Sequence, residues 1–332
     1  MSRQRFTSPL LAFALTALSL SAAATQQEAP NLPKALYNAV GNYGFYKTPE
    51  YMAEIKQLLA QGAQPAAVTM MAAVSSRQPE VLDLLIAKVD DINAPVSSNG
   101  ETLLTYTLSN ISPDGDPQTD VRMVKSLIKA GADVNAIVRA RTASPLQIAA
   151  AGDGSRTPPQ PQMVKLLLDA GADAKATLGN DFNPLTGRAA TSLEVIKLLV
   201  DAGANPYQVT KPGSTPLHFV CERNFALQDQ PDPQAAQRIA ILLKKGSSPD
   251  EIHPQSGAVP VGTPLLEAAR SHNPDCVAAL IAAGADPDAP AHSPTYMKNF
   301  PDTEQQTVRQ DVLASAEKFH GLYSPEVVKL FQ

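Results

Sequence analysis

The sequence predicts an all-α protein, a solenoid of about eight helix-turn-helix units, and three observations carry that prediction. The first is a recurring phrase, Leu127-Ile128-Lys129-Ala130-Gly131-Ala132-Asp133, which returns as Leu167-Leu168-Asp169-Ala170-Gly171-Ala172-Asp173, as Leu199-Val200-Asp201-Ala202-Gly203-Ala204-Asn205 and as Leu280-Ile281-Ala282-Ala283-Gly284-Ala285-Asp286. The second is a companion phrase, Ser144-Pro145-Leu146-Gln147-Ile148-Ala149-Ala150, repeated in Thr215-Pro216-Leu217-His218-Phe219-Val220-Cys221 and Thr263-Pro264-Leu265-Leu266-Glu267-Ala268-Ala269. The third is that the two alternate in fixed order. An apolar stripe running into Gly reads as a helix with a left-handed C-cap, because Gly reaches positive φ without a Cβ clash. Thr or Ser before Pro reads as a helix start, where the hydroxyl caps an orphan N–H and Pro sits at a position whose missing donor costs nothing.

In chain order, Lys34-Ala35-Leu36-Tyr37-Asn38-Ala39-Val40 is expected to form a short helix ending at Gly41 and opening the first unit. Weaker copies of the cap follow at Leu58-Leu59-Ala60-Gln61-Gly62-Ala63, at Leu84-Leu85-Ile86 with Ile92-Asn93-Ala94 behind it, and at Leu242-Leu243-Lys244-Lys245-Gly246. The chain closes on Pro325-Glu326-Val327-Val328-Lys329-Leu330-Phe331, which parallels Pro161-Gln162-Met163-Val164-Lys165-Leu166-Leu167 and stops before a cap. Cap, turn, Thr-Pro-Leu helix and Leu-Leu helix together resemble the ankyrin repeat, whose period is about 33 residues. The resemblance implies a repeat domain over residues 34–332 that binds proteins and is not an enzyme.

The first residues follow another pattern. Residues 2–5 hold two arginines and no acid, residues 10–20 are an apolar run, and Ser21-Ala22-Ala23-Ala24 offers small residues for cleavage. These predict a signal peptide over 1–24, a linker over 25–33 and an exported, periplasmic protein without a stable membrane anchor. Loss of Arg3 and Arg5 with the leader takes the formal charge from −5 to about −7. That balance, with lysines scattered along helices, argues against nucleic acid as a partner. A monomer is expected.

Cys221 stands for the second Ala of one unit's first helix, and Cys276 for an apolar residue in the next unit's second helix. They either pack as two buried thiols or form a disulfide if their Cα atoms approach within about 7 Å.

The caps are unevenly spaced. Steps from Val89 (which stands in for Gly) to Gly131, Gly131 to Gly171 and Gly203 to Gly246 exceed the period of about 33 by roughly seven to ten residues. The excess falls between the two helices of a unit, at Ser112-Pro113-Asp114-Gly115-Asp116-Pro117, at Gly154-Ser155-Arg156-Thr157-Pro158-Pro159 and at Gln228-Asp229-Gln230-Pro231-Asp232-Pro233. Insertions at one internal position of like-oriented units project from one edge, so a ridge is expected there. Gly41-Asn42-Tyr43-Gly44-Phe45-Tyr46 takes the equivalent place in the first unit and adds Tyr43, Phe45 and Tyr46, residue types that interfaces favour. Asp114, Asp116, Arg156 and Asp232 are the ridge's charged candidates for partner binding. The ankyrin resemblance nominates a second surface, the concave face and turn tips, here including Arg139, Arg141, Lys211, Glu222, Arg223 and Arg270.

Catalysis finds little footing. His253, His272, His292 and His320 lack the spacing of a zinc site, and the resemblance gives His218 the task of bracing its turn. Asp114, Asp116 and Asp120 lack the Gly and Glu that a calcium loop requires. Ser126-Leu127-Ile128-Lys129 matches a Ser-x-x-Lys pattern without its companion motifs. No cofactor or metal is expected. The function expected is a non-catalytic scaffold for a protein partner, as an inhibitor or immunity protein or as an accessory factor of an exported protein; the alternative is an enzyme whose site is built from the insertions.

Overall fold

A computed structural model describes residues 31–112, 115–138, 142–152, 158–179, 181–211, 213–222, 231–244, 248–250, 252, 262–299 and 304–332. The expected signal peptide and most of the expected linker lie outside them. Among the described residues eight helix pairs follow one another: α1 (Leu32–Tyr46) with α2 (Pro49–Ala60), α3 (Ala67–Ser75) with α4 (Pro79–Ile86), α5 (Leu103–Ser109) with α6 (Pro117–Lys129), and α7 (Pro145–Ala151) with α8 (Pro161–Asp169). A 3-10 helix, Gly187–Thr191, pairs with α9 (Leu193–Asp201), and a second, Pro216–Phe219, pairs with α10 (Ala235–Leu242). Next come α11 (Pro264–Ala269) with α12 (Pro274–Ala282), an added helix α13 (Pro294–Asn299), and α14 (Val308–Lys318) with α15 (Pro325–Lys329).

First helices stack on first helices, from α1 on α3 through to α11 on α14. Second helices stack on second helices, from α2 on α4 through to α12 on α15. The result is two helical layers with one continuous core between them, built from residues such as Leu36, Leu82, Leu104, Leu127, Leu146, Leu167, Leu199, Leu265 and Leu280. Among the described residues the β-structure is limited to isolated bridges, including Val138 with Ala143 and Leu178 with Phe182, which close the hairpin-like turns between units.

The recurring phrases become two capping devices. At the end of α6, Gly131 takes φ 90°, and the buried Ala132 returns its N–H to the Leu127 carbonyl at 3.0 Å. The same closure joins Ala172 to Leu167, Ala204 to Leu199 and Ala285 to Leu280. Such a Schellman closure satisfies late carbonyls and seats a small apolar residue beneath the helix. At the helix starts, the Ser144 hydroxyl accepts from Gln147 N while the Gln147 Oε1 accepts from Ser144 N, a reciprocal capping box. His218 braces its own turn in the same manner: its Nδ1 accepts from Thr215 N at 3.0 Å.

Side-chain bonds tie several turns to the next. Asn93 Oδ1 accepts from Asp133 N at 2.7 Å and its Nδ2 donates to Gly131 O at 3.1 Å. Asn135 repeats this toward Asp173 N at 2.9 Å and Gly171 O at 3.2 Å. Within the turns at Asp91, Asp133, Asp173 and Asp286 the Asp side chain accepts from the N–H two residues on, as Asp133 does from Asn135 N, and Asn205 does the same toward Tyr207 N. The Asp of the Ala-Asp phrase therefore shapes a turn, and the Asn after it couples repeats.

The structure corrects three expectations. Helix α1 does not end at Gly41; it begins at Leu32, capped by the Asn31 side chain, and runs to Tyr46, where Lys47 at φ 50° supplies the left-handed cap. Gly41 has open space around it, so it merely weakens the helix, whereas a Cβ at Gly44 would lie 2.6 Å from Gln78 Nε2 and 2.9 Å from Ser76 Oγ. Gly44 thus serves a close helix-to-turn approach, and the first unit carries a longer helix where a loop insertion was expected. The Thr215 phrase opens only a 3-10 helix, Pro216–Phe219, after which the Val220 carbonyl accepts from Arg238 Nη2 at 3.2 Å in place of continuing a helical ladder. Helix α13 has no counterpart in the repeat phrases.

Candidate binding surfaces

Two surfaces emerge from this architecture. The first is a groove of about 990 Å³ between the turn tips and the layer of first helices. Its walls come from the end of α5, from Gln147, Ile148 and Ala151 on α7, and from Phe182 on the following turn. Gln147 is fixed at both ends: its Oε1 holds the α7 cap and its Nε2 donates to Phe182 O at 3.0 Å. A floor held in this way loses little freedom when a ligand docks.

The second surface is the edge carrying the connections between the helices of each unit. Ser76 and Gln78 approach Gly44 of α1. Arg77, at φ 53°, reaches into the next connection, where Nη2 donates to Asp116 O at 2.6 Å and Nη1 meets Asp120 Oδ1 at 3.0 Å. A methyl at Gly115 would overlap that guanidinium. Ile111, Ser112 and Pro117 of the third unit then share a cleft with Pro158, Pro159 and Pro161 of the fourth. Farther along, Asp232 N donates to Asp275 Oδ2 at 2.7 Å, joining the sixth unit's connection to the seventh's.

The sequence-derived candidates fall into distinct groups. Phe45 is 91% and Tyr46 65% exposed. Tyr46 stacks on Tyr51 with ring centroids 5.8 Å apart, while Tyr43 is half-buried against the core. All three sit on the last turns of α1. Lys211 is exposed in the tight turn closed by Thr210 N donating to Ser214 O at 2.9 Å. The Glu222 carboxyl has its pKa raised by desolvation, with Arg188 acting in the opposite direction. Arg270 pairs with Glu267 at 3.1 Å. Asp114, Arg139, Arg141, Arg156 and Arg223 lie outside the described residues.

Two candidates have structural work instead. Asp116 is the N-cap of α6: its carboxylate accepts from Gln118 N at 3.1 Å and Thr119 N at 3.2 Å, and these bonds hold its pKa below the usual carboxylate range. Asp232 is only 9% exposed at its side chain; it chelates Arg238 through bonds of 2.6 and 2.9 Å and accepts from Asn273 Nδ2 at 2.7 Å. A carboxylate already bound by three donors is poorly placed to meet a partner. This network anchors the end of the sixth unit's long connection to the seventh unit.

Beside it, Cys221 and Cys276 form a disulfide with Cα atoms 5.6 Å apart. Both residues are buried, at 2% and 0% exposure. Among the described residues no group of three His, Cys, Asp or Glu is arranged to hold a metal. Also among them, no helix is long and apolar enough to cross a membrane.

The groove residues Gln147 and Phe182, and Asp120 and Gln160 in the cleft, were not among the sequence-derived candidates. Gln147 carried a legible signal, its place in a Ser-Pro-Leu-Gln cap. Asp120 had entered only as part of a rejected calcium loop and Gln160 not at all, because their places in the cleft depend on how neighbouring units abut.

Residues 187–291 match the family model for ankyrin repeats, in three copies. The human ASB11 ankyrin repeat domain, known from a crystal structure, is similar in fold with a TM-score of 0.51. The identity is 20%, over 79% of this chain and 97% of that one. No curated protein matches the chain. At this identity the likeness concerns the fold, an all-α ankyrin solenoid.

Proposed function

We propose that this ankyrin solenoid is a non-catalytic scaffold that holds a protein partner in its concave groove, and that it works in the periplasm as an inhibitor, an immunity protein or an accessory factor of another exported protein. The observation that carries the reading is the groove itself: preorganised, about 990 Å³, and walled by helix and turn residues from successive units. Ankyrin repeats generally mediate protein–protein contacts, and stacked repeats create extended surfaces suited to them. The leader-like residues 1–24 and the Cys221–Cys276 disulfide support export to an oxidising compartment.

The test is affinity capture of the tagged protein from its own host after fractionation, with partners identified by mass spectrometry. One dominant stoichiometric partner in the periplasmic fraction is the expected result. Ala151→Arg, which places a long charged side chain in the groove, should reduce capture at least ~10-fold while leaving the melting temperature within a few degrees. Equal capture by the variant would exclude the groove as the docking surface, and a protein found wholly in the cytoplasmic fraction would end the periplasmic reading.

A further inference from the structure

The cleft on the ridge edge, between α6 and α8, carries an unmet chemical demand. It has a volume of about 350 Å³, and its walls are largely apolar, with Ile111, Pro117, Pro158, Pro159 and Met163 among them. Asp120 lies at its base, 1% exposed. One carboxylate oxygen, Oδ1, is 3.0 Å from Arg77 Nη1. The other, Oδ2, is buried and has no hydrogen-bond partner among the described residues, and the same holds for Gln160 Nε2 in the same cleft. A buried carboxylate oxygen without a donor is costly, more so than a neutral group, because its desolvation goes uncompensated.

Charge and shape narrow the occupant. Asp116 lies close enough to push the Asp120 pKa up, and the exposed Glu194 lines the same cleft, so among the described residues three carboxylates gather at the cleft and its margin, and the guanidinium of Arg77 meets Asp120 there. The site is electrically unfinished and asks for a cation. Proline and methionine walls suit a long aliphatic stem that buries its methylenes and carries charge at the tip. Gln160 Nε2, a donor, suits a carbonyl of the backbone that bears that stem.

We propose that this cleft receives a lysine or arginine side chain of the partner protein, its head donating to Asp120 Oδ2 and its stem lying along Pro117, Pro158 and Met163. The inference rests on the scaffold reading and adds a second contact, on the edge rather than in the groove.

The test uses the full mature chain, labelled with 13C at methionine methyls and 15N at glutamine, titrated with Ac-Gly-Arg-Gly-NH2 and Ac-Gly-Lys-Gly-NH2. Norleucine and serine versions of the peptide are the controls. Saturable shifts at the Met163 methyl and the Gln160 side-chain amide are expected with the basic peptides alone. Glu194→Gln, at an exposed position, should weaken binding by about 2-fold, and Asp120→Asn by roughly 5-fold or more. Melting curves accompany both variants; if Asp120→Asn does not fold, Glu194→Gln carries the comparison. Equal shifts with norleucine or serine, or no shift in the wild type at peptide concentrations up to the solubility limit, overturn the proposal. Partner capture that survives both cleft substitutions sinks this inference and leaves the scaffold reading standing.

Discussion

Asp120 and Asp116 sit four residues apart in sequence and respond to pH in opposite senses. Burial raises the Asp120 pKa more than Arg77 lowers it, so the folded chain keeps that proton to a higher pH than the unfolded chain does. Its contribution to stability is therefore greatest below the ordinary carboxylate range and declines as pH rises from the unfolded value through the raised folded one. Asp116 is lowered, first by the N–H of Gln118 and then by Thr119, so its contribution is present above the ordinary range and is lost as pH falls through the depressed value. Urea midpoints measured between about pH 3 and about pH 7 for wild type and Asp120→Asn should separate these effects. Relative to the variant, wild type should lose stability as pH rises. A constant difference across that window would mean that burial does not tune Asp120.

At the scale of elements, the two glycines of α1 look alike in the sequence and behave differently in the fold. Gly41→Ala meets nothing within 4 Å and should stabilise the protein by about 0.5–1 kcal/mol through helix propensity. Gly44→Ala must displace Gln78, whose Nε2 donates to Val40 O at 3.3 Å, and should destabilise by about 1 kcal/mol or more. Chemical denaturation of the two variants gives the comparison; the same sign for both would contradict the close approach of α1 to the turn after α3. The connections between helices show the same dependence on neighbours. Arg77 from one unit braces Asp116 and Asp120 of the next, and Asp232 of the sixth unit binds Asn273 of the seventh. These two connections are each held by the unit beside them, a relation that no single repeat phrase contains.

For the molecule as a whole, stability in a stacked array is close to a sum of repeats and nearest-neighbour interfaces. The Cys221–Cys276 bond adds one cross-link between the sixth and seventh units, closing a separation of 55 residues. In the chain-entropy account a loop of that length contributes roughly 4 kcal/mol, and measured values run at about 2–4 kcal/mol. Replacing both cysteines by Ala, or reducing the bond, should lower stability by an amount in that range, and hydrogen exchange should show protection falling first around α10 and α12. Uniform loss along the whole solenoid would contradict the near-independence of its units. A bound partner works in the other direction, raising the unfolding midpoint with its concentration by mass action.

An all-α solenoid of about eight repeated helix-turn-helix units was legible in the chain, because each phrase is a local device, whereas the length of α1, the 3-10 form of the Thr215 start and the added α13 were not. A Gly cap needs only its own φ, and a Thr-Pro start needs only the first turn's N–H groups. The Ala-Asp after each Gly cap was legible as a turn, whereas the bonds from Asn93 and Asn135 to the next unit follow from the stacking. What lies between units was decided by tertiary structure alone. That Cys221 meets Cys276, that Asp232 is consumed by Arg238 and Asn273, that α1 runs through Gly41, and that Asp120 is buried with one oxygen unmet all depend on distances across the stack. Side chains tens of residues apart are set face to face by the repeat geometry, and that register is a property of packed neighbours that periodicity along the chain does not encode.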